Sequence, residues 1–331
     1  MQLTIGKIRG LAATSSQADA FTILAFDHRQ SFARILTPRQ GEAISHADIV
    51  AAKATVVEVL APHTSGVLLD PEYSAAQSIA SGALPGRTGL LVAIEETGYS
   101  GTAMARKSRL LSNWSVAKVK RMGADAVKLL IYYHPDAGEL TECQERLTEE
   151  VVQDCRRYDI AFFLEAVSYS IDPKLDKSSA GFANRRPGLT RDIASRLGAL
   201  GPDVLKLEFP VDIIKDPDEG NWARACEEVS KVAACPWVVL SAGVDFDLFK
   251  RQVEIACCSG ASGYIAGRTV WKEGIPMPPL QRKEWLRTVA SARLDQLAEI
   301  ADRHARSWRD LFPGIENTAS LGWLDSYSGI S

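Results

Sequence analysis

Asp203-Val204-Leu205-Lys206-Leu207-Glu208-Phe209-Pro210 is an apolar, leucine-rich run that reads as a strand buried on both faces, with a lysine in its middle. An unpaired ammonium in such a place is expensive, so Lys206 needs either a partner or a task. The structural explanation is an exposed edge or an inward-facing carboxylate. The chemical one is that desolvation and a nearby positive charge lower an amine below its ordinary pKa of about 10.4. The free amine that results can attack a carbonyl and form a Schiff base. Strand alternation puts Val204, Lys206 and Glu208 on one face and the wholly apolar set Leu205, Leu207 and Phe209 on the other, which turns Lys206 inward.

Seven more apolar runs of strand length flank this one, at 21–26, 65–69, 89–94, 124–132, 160–166, 236–241 and 263–266. Helical patterns fill most of the gaps, at 48–60, 115–122, 190–200, 219–233 and 245–258, the second ending at Gly123 as a C′ glycine. Thr141-Glu142-Cys143-Gln144 reads as a capping box that opens an amphipathic stretch to Tyr158, while 71–88 is the weakest helical unit. Eight strand–helix units in about 250 residues predict an α/β fold, a (β/α)8 TIM barrel with parallel strands and right-handed crossovers. A doubly wound open sheet would call for a glycine-rich phosphate loop, and the sequence contains neither G-x-G-x-x-G nor G-x-x-x-x-G-K-[ST]. Residues 280–312, with Trp285, Leu286, Val289, Leu294, Leu297, Ile300, Ala301 and Trp308, form a C-terminal helical extension expected to pack on the barrel or on a second subunit. The reading is therefore of one barrel domain over 1–331, in a homo-oligomer.

Composition narrows the function. With 331 residues, 46% of them apolar, the chain can bury one large core. A formal net charge of −3 gives no electrostatic footprint for nucleic acid or an anionic membrane, so the expected partner is a small molecule. No apolar run reaches the roughly 18 residues of a spanning helix, and Lys7 and Arg9 precede no apolar stretch of a secretory signal, so a cytoplasmic protein is expected. The six cysteines and five histidines show no zinc-ligand spacing; no metal and no other cofactor is expected, and the cysteines read as small buried hydrophobes.

Active sites of the barrel fold collect at the C-terminal ends of the strands, and the polar residues here fall in that register. Asp27, His28 and Arg29 close the first run, Asp70 and Glu72 the second, Glu95 and Glu96 the third; Lys128 lies in the fourth, Glu165 ends the fifth, Ser241 ends the seventh and Gly267-Arg268 the eighth. Alternation puts Phe163, Glu165 and Val167 on one face, and Ala126, Lys128 and Leu130 on another. Three neighbouring strands can thus project two lysines and a carboxylate into one volume, the constellation imine chemistry needs; the alternative is a buried ion-pair network. Ser241-Ala242-Gly243 leads into a helix, and Gly267-Arg268 follows the eighth run, the habitual phosphate position of this fold. Arg268 adds a planar donor fork.

Ordered blocks carry a family resemblance from about Phe21 to Trp271. They are Ala25-Phe26-Asp27-His28-Arg29, Leu68-Leu69-Asp70-Pro71-Glu72-Tyr73, Glu96-Thr97-Gly98-Tyr99, Gly123-Ala124-Asp125-Ala126-Val127-Lys128, Phe162-Phe163-Leu164-Glu165, Asp203-Val204-Leu205-Lys206, Leu240-Ser241-Ala242-Gly243-Val244 and Gly267-Arg268. With them the chain resembles the class I tagatose 1,6-bisphosphate aldolases and their relatives that cleave 6-deoxy-6-sulfofructose 1-phosphate. The resemblance implies that Lys206 is the Schiff-base lysine and Glu165 the proton-transfer residue, with Asp27 and Lys128 as active-site partners. It further implies that Ser241, Gly243, Gly267 and Arg268 hold the C1 phosphate of a ketose that is split to dihydroxyacetone phosphate and a three-carbon aldehyde. Where the family pattern has glutamine between the first-strand aspartate and arginine, this chain has His28, which bears on contacts to the distal end of the sugar. The blocks 70–73 and 96–99 resemble the tagatose branch, and 236–241 and 260–271 the sulfosugar branch, so phosphate, sulfonate and hydroxyl all stay open at the distal end.

Two candidate readers of that end are Arg29 and the connection 168–187, whose Lys174, Lys177, Arg185 and Arg186 could close over an anion as a lid. Lys128 is expected to favour the free amine of Lys206 by repulsion. Two other readings compete: a metal-dependent aldolase or isomerase using Asp70, Glu95, Glu165 and a histidine, and a barrel that binds sugar phosphates without turnover.

Overall fold

The computed structural model describes residues 3–36 and 44–327. In chain order its strands are β1 (Phe21–Phe26), β2 (Gly66–Leu69), β3 (Gly89–Ala93), β4 (Ser100–Thr102), β5 (Ala105–Lys107), β6 (Ala126–Tyr133), β7 (Ala161–Ser168), β8 (Val204–Glu208), β9 (Trp237–Leu240) and β10 (Gly263–Ala266). Among the described residues, eight of these are parallel and close into a barrel in the order β1-β10-β9-β8-β7-β6-β3-β2. The fold is the (β/α)8 barrel, and every strand read from the sequence is present to within two residues. Those strands stand out because both faces are buried: β1, β2, β3, β8, β9 and β10 carry no exposed position.

Four local features differ from expectation. The helix Ile5–Ala13, not foreseen, lies against β3 and β7, its Lys7 buried and paired at 2.8 Å with Asp203 at the start of β8. Gly10 is required there, because a Cβ would come within 2.3 Å of the Asp125 carbonyl. The antiparallel hairpin β4–β5 follows β3 and was too short to read as strands. Thr141 does not cap: the helix spans Glu139–Arg157, and the Thr141 hydroxyl, in its first turn, donates to the His134 carbonyl at 2.8 Å. The working capping box is Ser45/Asp48, at the head of His46–Leu60.

The 190–200 pattern is only the second half of a helix that spans Ala180–Ala199, with Pro187 inside it. Proline hid the first half from pattern reading. The C-terminal extension runs as Pro279–Trp285, a π-helical turn at Leu286–Ala290, then Ser291–His304. Leu286, Leu294, Leu297, Ala301 and Trp308 are buried, and the last helix packs on β1, β10 and the helix Phe246–Cys258; Val289 instead faces outward. Among the described residues no helix is long and apolar enough to cross a membrane.

Candidate active site

Strand register assembles the site. Glu165 on β7 lies directly beside Lys206 on β8 and beside Leu130 on β6, two residues past Lys128. A single carboxylate oxygen, Glu165 Oε2, accepts from Lys206 Nζ at 2.9 Å and lies 3.0 Å from Lys128 Nζ. Both lysines are buried. They form the floor of a cavity of about 540 Å³ at the C-terminal ends of the strands, which the ten site residues read from the sequence all line.

Lys128 is the hub of this floor. Besides Glu165 it contacts Asp27 Oδ2 at 2.8 Å and Glu95 Oε1 at 2.5 Å. Burial would lower its amine, but Asp27, Glu165 and Glu95 outweigh that and hold it well above the ordinary lysine value. The converse holds for the acids. Burial would raise the Asp27 and Glu165 carboxyls, yet Lys128 and Lys206 together draw both below their ordinary range. Lys128 does not face Lys206 alone: Asp27, Glu95 and Glu165 surround its amine. Glu95, which the sequence offers as a strand-end acid and as a ligand in the metal-dependent reading, is a further site residue, its other oxygen accepting from the Leu130 amide at 3.1 Å.

At the next strands the chain makes a concave loop pair. Ser241 ends β9, and its hydroxyl accepts from the Gly267 amide at 3.2 Å, tying the two loops together. Ala242 and Gly243 both adopt positive φ, +48° and +79°, before the helix Phe246–Cys258. The Arg268 guanidinium lies over Gly243, where a Cβ would meet Arg268 Cζ at 3.4 Å. Small residues and consecutive turn amides at this spot can receive an oxyanion, with Arg268 as its counter-charge.

His28 sits on this side of the pocket, its ring edge-on to Trp271 at 5.1 Å and against Gly267. Its Nδ1 is buried without a hydrogen-bond partner, 3.7 Å from Asp27. Burial, reinforced by Arg268, outweighs Asp27 and draws the imidazole down to about 4, so it is neutral at pH 7.

Arg29 and the 168–187 connection part company. The Arg29 guanidinium donates to Glu72 at 3.0 Å and to the Glu95 carbonyl at 2.6 Å, so it holds the ends of two strands together. Lys174 is exposed, and Arg185 lines a separate hollow with His134 and Asp136. Lys177 and Arg186 do reach the main pocket.

The residues named for a metal-dependent enzyme are spent on cations. Asp70 is paired at 2.5 Å with the buried Lys53 and caps the following turn through the Glu72 and Tyr73 amides. Glu95 and Glu165 face the two lysines. Among the described residues no group of three His, Cys, Asp or Glu side chains is arranged to hold a metal ion.

A family model, DeoC/LacD family aldolase, matches residues 21–273. The chain is 34% identical over 332 residues to a tagatose 1,6-diphosphate aldolase of Streptococcus agalactiae, covering 94% of this chain and all of that one. It is 32% identical over 336 residues to the tagatose 1,6-diphosphate aldolase of Listeria monocytogenes, covering 96% and 98%. Among solved structures, an archaeal fructose 1,6-bisphosphate aldolase superposes with a TM-score of 0.56 at 20% identity, over 89% of this chain and 98% of that one, which bears on the fold alone.

Proposed function

This chain belongs to the DeoC/LacD family of aldolases, and from its site we propose a class I aldolase that splits a ketose 1-phosphate or 1,6-bisphosphate of the tagatose or fructose type through a Schiff base on Lys206. The observation that carries this reading is one buried amine, Lys206 Nζ, at 2.9 Å from a buried carboxylate, Glu165, in a cavity that also holds an oxyanion cradle.

In the proposed reaction Glu165 starts ionised and takes a proton from the Lys206 ammonium as the nitrogen adds to the C2 carbonyl. The same carboxyl then returns a proton to the carbinolamine oxygen, which leaves as water. The protonated imine draws electrons from the C3–C4 bond. As that bond breaks, the C4 hydroxyl loses its proton to Glu165 and the distal aldehyde departs. Protonation of the enamine and hydrolysis of the imine then free dihydroxyacetone phosphate. The Ser241–Gly243 and Gly267–Arg268 loops hold the C1 phosphate throughout, which fixes C2 against Lys206. Lys128 keeps Asp27 and Glu165 ionised and holds them and Glu95 in mutual place, and His28 is available as a neutral donor or acceptor at the C1 side.

Borohydride reduction in the presence of dihydroxyacetone phosphate tests the reading. The expected result is a mass adduct on the peptide carrying Lys206, absent in Lys206→Met, with turnover unaffected by a chelator. Turnover that dies with the chelator and leaves no adduct would overturn it.

A further inference from the structure

Asp70-Pro71-Glu72-Tyr73 is one of the blocks that carry the family resemblance, yet none of its residues lines the active-site cavity. Its place is in the packing behind β1 and β2. Lys53, on the helix His46–Leu60, is fully buried and reaches the C-terminal ends of both strands. Its Nζ donates to the Phe26 carbonyl at 2.9 Å and to Asp70 Oδ2 at 2.5 Å, and it lies over the Phe26 and Phe32 rings at 4.6 and 5.4 Å. An ammonium here has exchanged water for one carboxylate, one carbonyl and two ring faces. Asp70 is equally buried: its other oxygen accepts from the Glu72 and Tyr73 amides at 3.0 and 2.7 Å, and the Ser74 hydroxyl donates to Oδ2 at 2.6 Å.

Two arms leave this pair, and both end on carboxylates around Lys128. The first is direct. The last pairing of β1 with β2 is Phe26 with Leu69, so Asp27 lies just past the ladder, and the carbonyl that Lys53 holds belongs to the peptide group joining Phe26 to Asp27. Asp27 then meets Lys128 at 2.8 Å. The second arm runs through the turn that Asp70 caps. Glu72 on that turn accepts from Arg29 at 3.0 Å, Arg29 donates to the Glu95 carbonyl at 2.6 Å, and the Glu95 carboxylate meets Lys128 at 2.5 Å.

We propose that Lys53 and Asp70 are positioning residues: through the Phe26 carbonyl and the Glu72–Arg29 link they hold Asp27 and Glu95 against Lys128 without touching substrate. A pair with a structural role alone would add stability and leave the rate as it is. Lys7–Asp203, also buried and 2.8 Å apart, sits at the other end of the barrel, at the start of β8, and supplies that comparison. The test sets Lys53→Met/Asp70→Asn beside Lys7→Met/Asp203→Asn. Each double change removes both charges, so no buried ion is left alone, and the asparagine amide keeps an acceptor for the backbone amides that the aspartate held.

With tagatose 1,6-bisphosphate as substrate, Lys53→Met/Asp70→Asn is expected to lower kcat about 10- to 100-fold with KM within about threefold of the wild type, because the C1-phosphate loops are untouched. In an Asp27→Asn background the same change should cost several-fold less, since one of the two groups it positions is already gone. Lys7→Met/Asp203→Asn should keep kcat within about threefold of the wild type. Equal losses in the two double variants, or losses that multiply with Asp27→Asn, would overturn the positioning role. Asp70→Asn alone, with a Lys53 amine that burial already draws down, takes the place of the double change if that does not fold, with the same outcomes expected. Amide exchange over residues 26–29 needs no substrate: it should quicken when the Lys53 pair is removed and not when the Lys7 pair is, and unchanged exchange would overturn the anchor. The proposal rests on the Schiff-base reading for the rate it governs; failure of that reading shows as a wild type without a borohydride adduct, and the exchange result then decides the anchor by itself.

Discussion

Glu165 Oε2 lies 2.9 Å from Lys206 Nζ and 3.0 Å from Lys128 Nζ, so one oxygen on β7 is shared by lysines from the strands on either side. A carboxylate held between two lysine nitrogens can exchange a proton with one of them without leaving the other, which is what repeated proton transfers at one carbon framework need. It also makes the pair structural, because removing any of the three leaves a buried charge short of a partner.

Glu165→Gln separates these duties. The amide keeps the shape and can still accept from a lysine, but it cannot take a proton. The expected loss in kcat is about 10²- to 10⁴-fold, while prolonged borohydride treatment with dihydroxyacetone phosphate still labels Lys206. Because the two lysines draw the Glu165 carboxyl below its ordinary value of 4.5, the wild-type kcat/KM profile should show no acid limb from this group above that pH. An acid limb near pH 6 that vanishes in the glutamine variant would contradict the assignment of Glu165 as an ionised base.

Lys128→Met should cost far more stability than a surface lysine. It leaves Asp27, Glu95 and Glu165 buried around a methyl group, a loss of about 3–5 kcal/mol by comparison with other broken buried pairs. The sign of its pH dependence follows from the same charges. In the wild type the Asp27 and Glu165 carboxyls are depressed, so the stability they contribute is present above their unfolded values and is lost as pH falls through the folded ones. In the variant they protonate more readily, so the gap between the two proteins should narrow as pH is lowered from 7 to 5. Urea midpoints at three pH values would show it, and a gap that widens toward acid would refute the hub.

The sequence carried the barrel and most of this site because both are written in local signals. Buried parallel strands are continuous apolar runs; Lys128, Glu165 and Lys206 interrupt those runs at positions whose face is fixed by a period of two, and Asp27 directly follows one. Glu95 was visible as a strand-end acid, but its partner depends on register across β3 and β6, which no single strand encodes. The Lys177–Glu208 pair joins residues 31 positions apart through a loop, and the helix turn bearing Arg186 is masked by Pro187. Pattern reading names basic residues in a loop, and only packing says that Arg186 turns inward and Arg185 away.

His28 supplies a pH signature of its own. Burial draws its imidazole from 6.5 to about 4, so the fold favours the neutral ring. That contribution is complete above pH 6.5 and is lost progressively as pH falls from 6.5 toward 4, by about 3 kcal/mol at most. His28→Gln removes the titration. Its unfolding midpoint should therefore decline less than that of the wild type between pH 7 and pH 4.5, and parallel declines would show that the ring is not held neutral.

Ala242 and Gly243 are consecutive left-handed residues, at φ +48° and +79°, and they should respond to substitution to different extents. Gly243→Ala adds a methyl group in a conformation about 1 kcal/mol worse for an L-residue and places it 3.4 Å from Arg268 Cζ. Stability should fall by about 1–2 kcal/mol. If the loop cradles the C1 phosphate, displacement of Arg268 should raise KM about tenfold, the worth of roughly one charge-assisted hydrogen bond. Ala242→Gly removes a methyl group from a strained position, and the relief is partly offset by the entropy of the freer unfolded chain, so it should lie within about 1 kcal/mol of the wild type. Stability and KM of Gly243→Ala equal to those of the wild type would mean that the loop tolerates either residue, and that neither the turn nor Arg268 depends on the missing Cβ.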